Sequence, residues 1–355
     1  MIEFSQCIAK IGKGQKASKD LTWDEAKQAM RMLVEGRTTP TQVGAFLLAM
    51  RVKMESVTEL AAFTSVARED VPPLPVPRHL PLVDLPTYAG KQDTFHVSVG
   101  AAVVAAAAGA SILMHGHEGI PERPGTAEVL AKLGIPTDLS SGQAAEELTA
   151  KGFAYLDIAL YHPPIAKFLD LRRELGVRSL FHPVAKMLNP ARAASQVIGL
   201  SHPPYFEKIA EALLMLGAKR ALIVRGAEGE PELSIASVTK LLEVRDERIM
   251  PLTFAPKDVG LPPGNFQAMA GFPPGQMEQE ASLLRRILHN QVPGGQREWV
   301  VLNAAMLLYA AGKATSVADG MPVAKQALES GAAALKLEEL SGSHQLSAVS
   351  AEARA

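Results

Sequence analysis

Residues 71–86 read VPPLPVPRHLPLVDLP. Each proline fixes φ and lacks a backbone donor, so a run this dense reads as a stiff linker and not as helix. The chain changes character across it. On the N-terminal side the patterns are helical. Three capping boxes follow one another: Thr22 with Glu25, Thr39 with Gln42 and Ser56 with Glu59. In each, a hydroxyl caps an orphan amide while the residue three positions on reaches back. Pro40 sits at a first helical position, where its missing N–H costs nothing. Val43, Phe46, Leu47 and Met50 fall at i, i+3, i+4 and i+7 and make one apolar stripe. Helices this short must pack on one another, on the rest of the chain or on a second subunit.

On the C-terminal side, short apolar runs alternate with helical stretches. PLVDL, ASILM, FAYLDIA, ALIVR and IMPLTF read as strands. Helices are expected near 95–109, 124–133, 143–150, 164–175 and 203–216, and again over Trp299–Ala311 and Val317–Leu328. This alternation predicts an α/β fold with a mostly parallel sheet.

Composition narrows the function classes. The formal net charge of −1 gives no bulk attraction to nucleic acid or membrane, so such a role needs a local basic patch. The single cysteine, Cys7, excludes an internal disulfide framework and reads as structural. The opening MIEFSQCIAKIGKG lacks the build of a signal peptide, and no run is apolar enough to span a bilayer. The expectation is a cytoplasmic protein without a membrane partner.

Residues 83–110, VDLPTYAGKQDTFHVSVGAAVVAAAAGA, read as strand, polar loop and Ala-rich helix. A loop feeding a helix N-terminus is a natural anion site, because first-turn amides are unpaired and the dipole favours negative charge. Glycines at 226–230 form no dinucleotide fingerprint. His115 and His117, with Glu118 and Glu122 nearby, read more readily as loop histidines than as a zinc site.

Read together, DLTWDEAKQAMRMLVEGRTTPTQVGAFLLAMRVK, LYHP at 160–163, RRELGVRSLF at 172–181, LNPA at 188–191, ALIVRG at 221–226, LNAAMLLYAAGKA at 302–314 and SGAAALKLEEL at 330–340 resemble the anthranilate phosphoribosyltransferase family, glycosyltransferase family 3. The resemblance implies a nucleoside phosphorylase/phosphoribosyltransferase-like architecture. A helical dimerisation domain, 1–70, is joined by helices within 164–200. A linker at 71–86 leads to an α/β domain over 87–163 and 201–340, with a frayed tail at 341–355. It also implies a homodimer that moves a phosphoribosyl group from PRPP, with magnesium, to anthranilate.

Carried over residue by residue, the family's Gly-Thr-Gly-Gly-Asp loop is Pro86-Thr87-Tyr88-Ala89-Gly90 here, followed by Lys91. Pro86 removes an N–H, and Tyr88 adds bulk where backbone must approach a pyrophosphate. The helix opens Thr94-Phe95-His96-Val97-Ser98, keeping Ser98 but losing the family's asparagine. Lys-His-Gly-Asn-Arg becomes Met114-His115-Gly116-His117-Glu118, and the Asp-Glu metal pair becomes Pro231-Glu232. Thr87, Gly90, Lys91, Ser98 and His115 are thus the PRPP-loop equivalents. Glu232 is the residual magnesium position, and Glu228 or Glu230 would be a displaced substitute. His162 and Arg172 fall at the anthranilate end, where an arginine fork suits a carboxylate. The family's Phe-Asn-x-x-Gly-Pro turn reads Phe181-His182-Pro183-Val184-Ala185-Lys186.

These losses, with IGKGQKASKDL at 11–21, LPTYAGKQ at 85–92, GVRSLFHPVAK at 176–186 and LSHPPY at 200–205, resemble a second branch of the family that binds nucleic acid instead of PRPP. On that reading no cofactor is needed, and magnesium matters only if phosphoribosyl transfer persists. DNA or RNA would contact Lys13, Lys16, Lys19, Lys91, Arg172, Arg173, Arg178 and Lys186; as bare charge runs these also read as solvated surface. Aromatics are 5% of the chain, so phosphate contact is the more plausible mode than base stacking. An active phosphoribosyltransferase is the alternative.

Overall fold

A computed structural model describes residues 3–14, 16–87, 93–117, 125–226, 229–262, 264–273 and 275–342. It opens with α1 (Phe4–Ile11), α2 (Trp23–Val34), α3 (Pro40–Lys53) and α4 (Val57–Asp70). All three expected capping boxes form. Glu25 N donates to Thr22 Oγ1 at 3.3 Å while Thr22 N donates to Glu25 Oε2 at 2.7 Å. The Thr39–Gln42 and Ser56–Glu59 pairs repeat the geometry. Each such cap stabilises its helix by about 1 kcal/mol. Phe46, Leu47 and Met50 bury the α3 stripe, and Phe46 packs between Phe4 and Phe63.

β1 (Leu82–Pro86), α5 (Val97–Ala107), β2 (Ser111–Gly116), α6 (Thr126–Lys132), α7 (Ser141–Lys151) and β3 (Phe153–Asp157) follow. The short helices α8 (Ile158–Tyr161), α9 (Pro163–Asp170), α10 (Arg172–Leu175) and α11 (Phe181–Lys186) then return to the helical unit. Phe168 and Phe181 stack at 4.3 Å in the same apolar cluster as Phe46. The sheet resumes with β4 (Ser195–Gly199), α12 (Phe206–Met215), β5 (Arg220–Arg225), β6 (Thr239–Arg245) and β7 (Arg248–Phe254). Helices α13 (Met277–Leu288), α14 (Gly295–Ala310), α15 (Val317–Glu329) and α16 (Ala332–Leu340) close the chain.

The seven strands run in the order β3-β2-β1-β4-β5-β6-β7; β3, β2, β1, β4 and β5 pair in parallel, and β6 runs antiparallel to both β5 and β7. This is the expected helical unit plus a mostly parallel α/β sheet. Two strands escaped the sequence reading. β4, SQVIG, has a short apolar core with polar or glycine ends, and β6, TKLLEVR, carries a charge in mid-run. That charge, Glu243, is buried but paired with Arg220 Nε at 3.1 Å and Tyr309 Oη at 2.9 Å. The expected PLVDL strand is β1, so the end of the proline-rich run belongs to the α/β domain, ahead of the expected 87, and the sheet resumes at Ser195, ahead of the expected 201. Of the expected tail, 343–355 lie outside the described residues.

The alanines of α5 have a packing reason. The helix is buried almost throughout, and a Cβ on Gly100 would stand 3.1 Å from Leu284 and 3.2 Å from Val300. Small side chains let α5 lie close to α13 and α14. Among the described residues, no helix is long and apolar enough to cross a membrane.

Candidate functional site

The chain leaves β1 for β2 on one side and later returns to β4 on the other. Such a switch point opens a crevice beyond the carboxyl ends of the strands. A cavity of about 90 Å³ lies there. Thr87, Gly116, His117, Gly199 and Ser201 line it from the sheet; Arg178, His182 and Lys186 line it from the returning helical segment. Backbones crowd its floor. A Cβ on Gly199 would come within 2.2 Å of the Pro231 carbonyl oxygen, and one on Gly116 within 1.9 Å of Thr87 Oγ1.

Lys186 spans this floor. Its Nζ donates to Gly199 O at 3.0 Å and to Thr87 O at 3.3 Å, bridging the ends of β4 and β1. Burial, reinforced by Arg178 and opposed by Glu232, pushes its ammonium down to about 7. His182 is pushed down to about 3 by burial, with Arg172, Arg178 and Lys186 adding to the effect. It is a neutral imidazole whose Nδ1 accepts from Ser179 N at 3.2 Å. On the opposite wall His117 holds Asp170 at 3.1 Å and Asp157 at 3.4 Å. The Asp157 hydrogen bond, then that of Asp170, outweighs burial and raises its pKa.

The expected site residues divide. Thr87 is in the cleft, and Ser98 and Glu232 line a smaller cavity with Thr87 and Pro231. Gly90 and Lys91 lie outside the described residues. The His115 ring is fully buried, its Nε2 3.0 Å from Asp84 Oδ1 but out of hydrogen-bond alignment. It nevertheless lines the cleft, and both of its ring nitrogens lack a hydrogen-bond partner. His162, expected beside a carboxylate acceptor, is also fully buried, with Nε2 3.0 Å from Ala67 O and its pKa lowered by that burial. Arg172 bears on His182 electrostatically, whereas Arg173 is exposed. Lys13, Lys16 and Lys19 are exposed between α1 and α2 and line no wall of the cleft.

At the mouth of α5 the protein supplies its own anion. Glu280, from α13, accepts from His96 N at 2.7 Å and stands 2.6 Å from His96 Nδ1, both side chains being buried. A buried carboxylate thus already occupies the place where the helix dipole favours negative charge. Nothing in the sequence links positions 96 and 280; only the tertiary fold joins them.

Two family models match the chain: the glycosyl transferase family helical bundle domain over residues 5–71 and its a/b domain over residues 82–334. This chain belongs to glycosyl transferase family 3, the anthranilate phosphoribosyltransferase family. It is 35% identical over 338 residues to the anthranilate phosphoribosyltransferase of Methanocorpusculum labreanum, covering 95% of this chain and 97% of that one. The enzyme of Geobacillus kaustophilus is 34% identical over 337 residues, again covering 95% and 97%. The crystal structure of the Thermus thermophilus enzyme superposes with a TM-score of 0.84 at 32% identity, covering 96% of this chain and 98% of that one. The Saccharomyces cerevisiae enzyme in complex with PRPP and magnesium shares the fold at a TM-score of 0.81 and 20% identity, with 96% and 98% covered.

The family's metal position fits magnesium poorly in this chain. Pro231 offers no side-chain donor, and Glu232, buried, already acts on the Lys186 ammonium. Of the displaced candidates, Glu228 lies outside the described residues and Glu230 accepts from Thr94 Oγ1 at 2.8 Å. Magnesium demands near-octahedral oxygen geometry, which one carboxylate in the field of a lysine does not provide. Among the described residues, no group of three or more histidine, cysteine or acidic side chains forms a metal cluster.

Proposed function

We propose that this family member binds a nucleic acid strand in the cleft between its helical and α/β units, holding phosphates with arginine and lysine side chains instead of a metal. One observation carries the reading: Lys186 reaches a cleft at the sheet's switch point whose lining, among the described residues, contains no aspartate or glutamate. Arg178 lines the same wall. Contact of this kind recognises phosphate charge and not base sequence. We further propose a homodimer through the helical unit. Leu48 and Val52 on α3 are 52% and 61% exposed, and they lie apart from the face that α3 buries in its own core. The test is oligonucleotide binding by fluorescence anisotropy over a salt series. The expected result is affinity that falls steeply with salt and weakens in Lys186→Met; affinity indifferent to salt would rule out phosphate contact.

The comparisons favour a second reading, phosphoribosyl transfer to anthranilate, because the relatives matched over nearly the whole chain bear that name. Ser98 and Glu232 beside Thr87 support it as well. PRPP-dependent loss of anthranilate fluorescence would establish it.

A further inference from the structure

Arg178, His182, Lys186 and Ser201 of the cleft also line a second cavity, of about 50 Å³. To these it adds Arg51 near the end of α3, Ser179, and His202 after β4. One water needs about 10–15 Å³, so the space accepts a group of a few heavy atoms and not a base or a ribose. Its lining contains no aspartate or glutamate among the described residues. Burial lowers the His202 pKa, and the Arg51 and Arg178 charges add to it, so two guanidinium groups bear on this one ring. The neighbouring carboxylate, Glu55, accepts from Tyr205 Oη at 2.6 Å, and burial raises its pKa. Ser179 Oγ is the independent sign of a ligand. The residue is 4% exposed, lines the cavity, and its hydroxyl has no hydrogen-bond partner. A buried hydroxyl without a partner is costly, and an oxygen-rich anion would satisfy it.

We infer that this cavity is a subsite for a phosphate monoester, held by Arg51, Arg178 and Lys186 with Ser179 Oγ as a neutral donor. Two convergent guanidinium groups in a small space favour the dianionic end phosphate of a strand over the singly charged diester of its backbone. The inference rests on the nucleic-acid reading for its natural ligand, although free phosphate has the same chemistry.

The experiment compares a 5′-phosphorylated oligonucleotide, its 5′-hydroxyl twin and inorganic phosphate on the full chain, in the parent, Arg51→Met and Ser179→Ala. The phosphorylated strand should bind the parent about tenfold more tightly than its twin, and Arg51→Met should erase that difference. Ser179→Ala should weaken phosphate binding yet raise the melting temperature without phosphate, an opposition that a purely structural serine would not produce. Equal binding of the two strands by the parent overturns the subsite and leaves the nucleic-acid reading standing. Inorganic phosphate bound in an Arg51-dependent way, with neither strand binding, upholds the subsite and overturns the nucleic-acid reading. Failure of all three ligands overturns both. Circular dichroism of Ser179→Ala, the milder variant, serves as the folding control.

Discussion

Glu280 Oε1 lies 2.6 Å from His96 Nδ1 and accepts the His96 backbone N–H at 2.7 Å, tying α13 to the mouth of α5. Both side chains are buried, so the contact joins the closing helices to the centre of the α/β unit. Glu280→Ala leaves two donors of His96 without their acceptor and opens a cavity. The expected loss is about 3–5 kcal/mol of stability, measured by urea denaturation. A loss under about 0.5 kcal/mol would mean that the pair contributes nothing beyond a surface contact.

His117 links the end of β2 to Asp157 and to Asp170 of α9. Its folded-state pKa is raised, first by the Asp157 hydrogen bond. The stabilisation is therefore fully present below the unfolded value of about 6.5 and is lost as pH rises through the folded value. The melting temperature of the parent should exceed that of His117→Gln at about pH 5, and the gap should narrow by about pH 8. A gap that widens with pH would contradict this pairing.

Gly199 is the tightest backbone approach in the cleft floor, since a Cβ there would meet the Pro231 carbonyl at 2.2 Å. Gly199→Ala must push the Pro231 segment away from β4. It should cost about 1–3 kcal/mol and disturb the carbonyl that receives Lys186. Parallel denaturant titrations measure the cost, and unchanged stability would show that this backbone is free to move.

Leu48 and Val52 lie on the α3 face that the helical unit does not cover. Leu48→Glu with Val52→Glu should convert the proposed homodimer to a monomer in sedimentation velocity without loss of helix content. Persistence of the dimer would move the interface elsewhere.

Much of the fold was legible because it rests on local chemistry. Thr22–Glu25, Thr39–Gln42 and Ser56–Glu59 are each three residues apart, and their hydrogen bonds follow from that spacing. β4 was hidden because Val197 and Ile198 alone carry its apolar signal, and β6 because Glu243 finds its partners Arg220 and Tyr309 only through the fold. The site was legible by position but not by state. Sequence correspondence set His115 and His162 beside ligands; His115 does line the cleft, its ring against Asp84, whereas the His162 ring is buried against the Ala67 carbonyl. Arg51, Ser179 and His202 lie within segments that carry the family resemblance, but their convergence on one cavity is set by the fold and not by their spacing.

The claim that this cleft holds phosphate with its own cations, and not PRPP through magnesium, is tested most directly by calorimetric titration with Mg–PRPP. The expected result is no saturable heat and no thermal stabilisation, in protein that binds oligonucleotide under the same conditions. Saturable Mg–PRPP binding followed by PRPP-dependent loss of anthranilate fluorescence would contradict the claim and establish the enzyme.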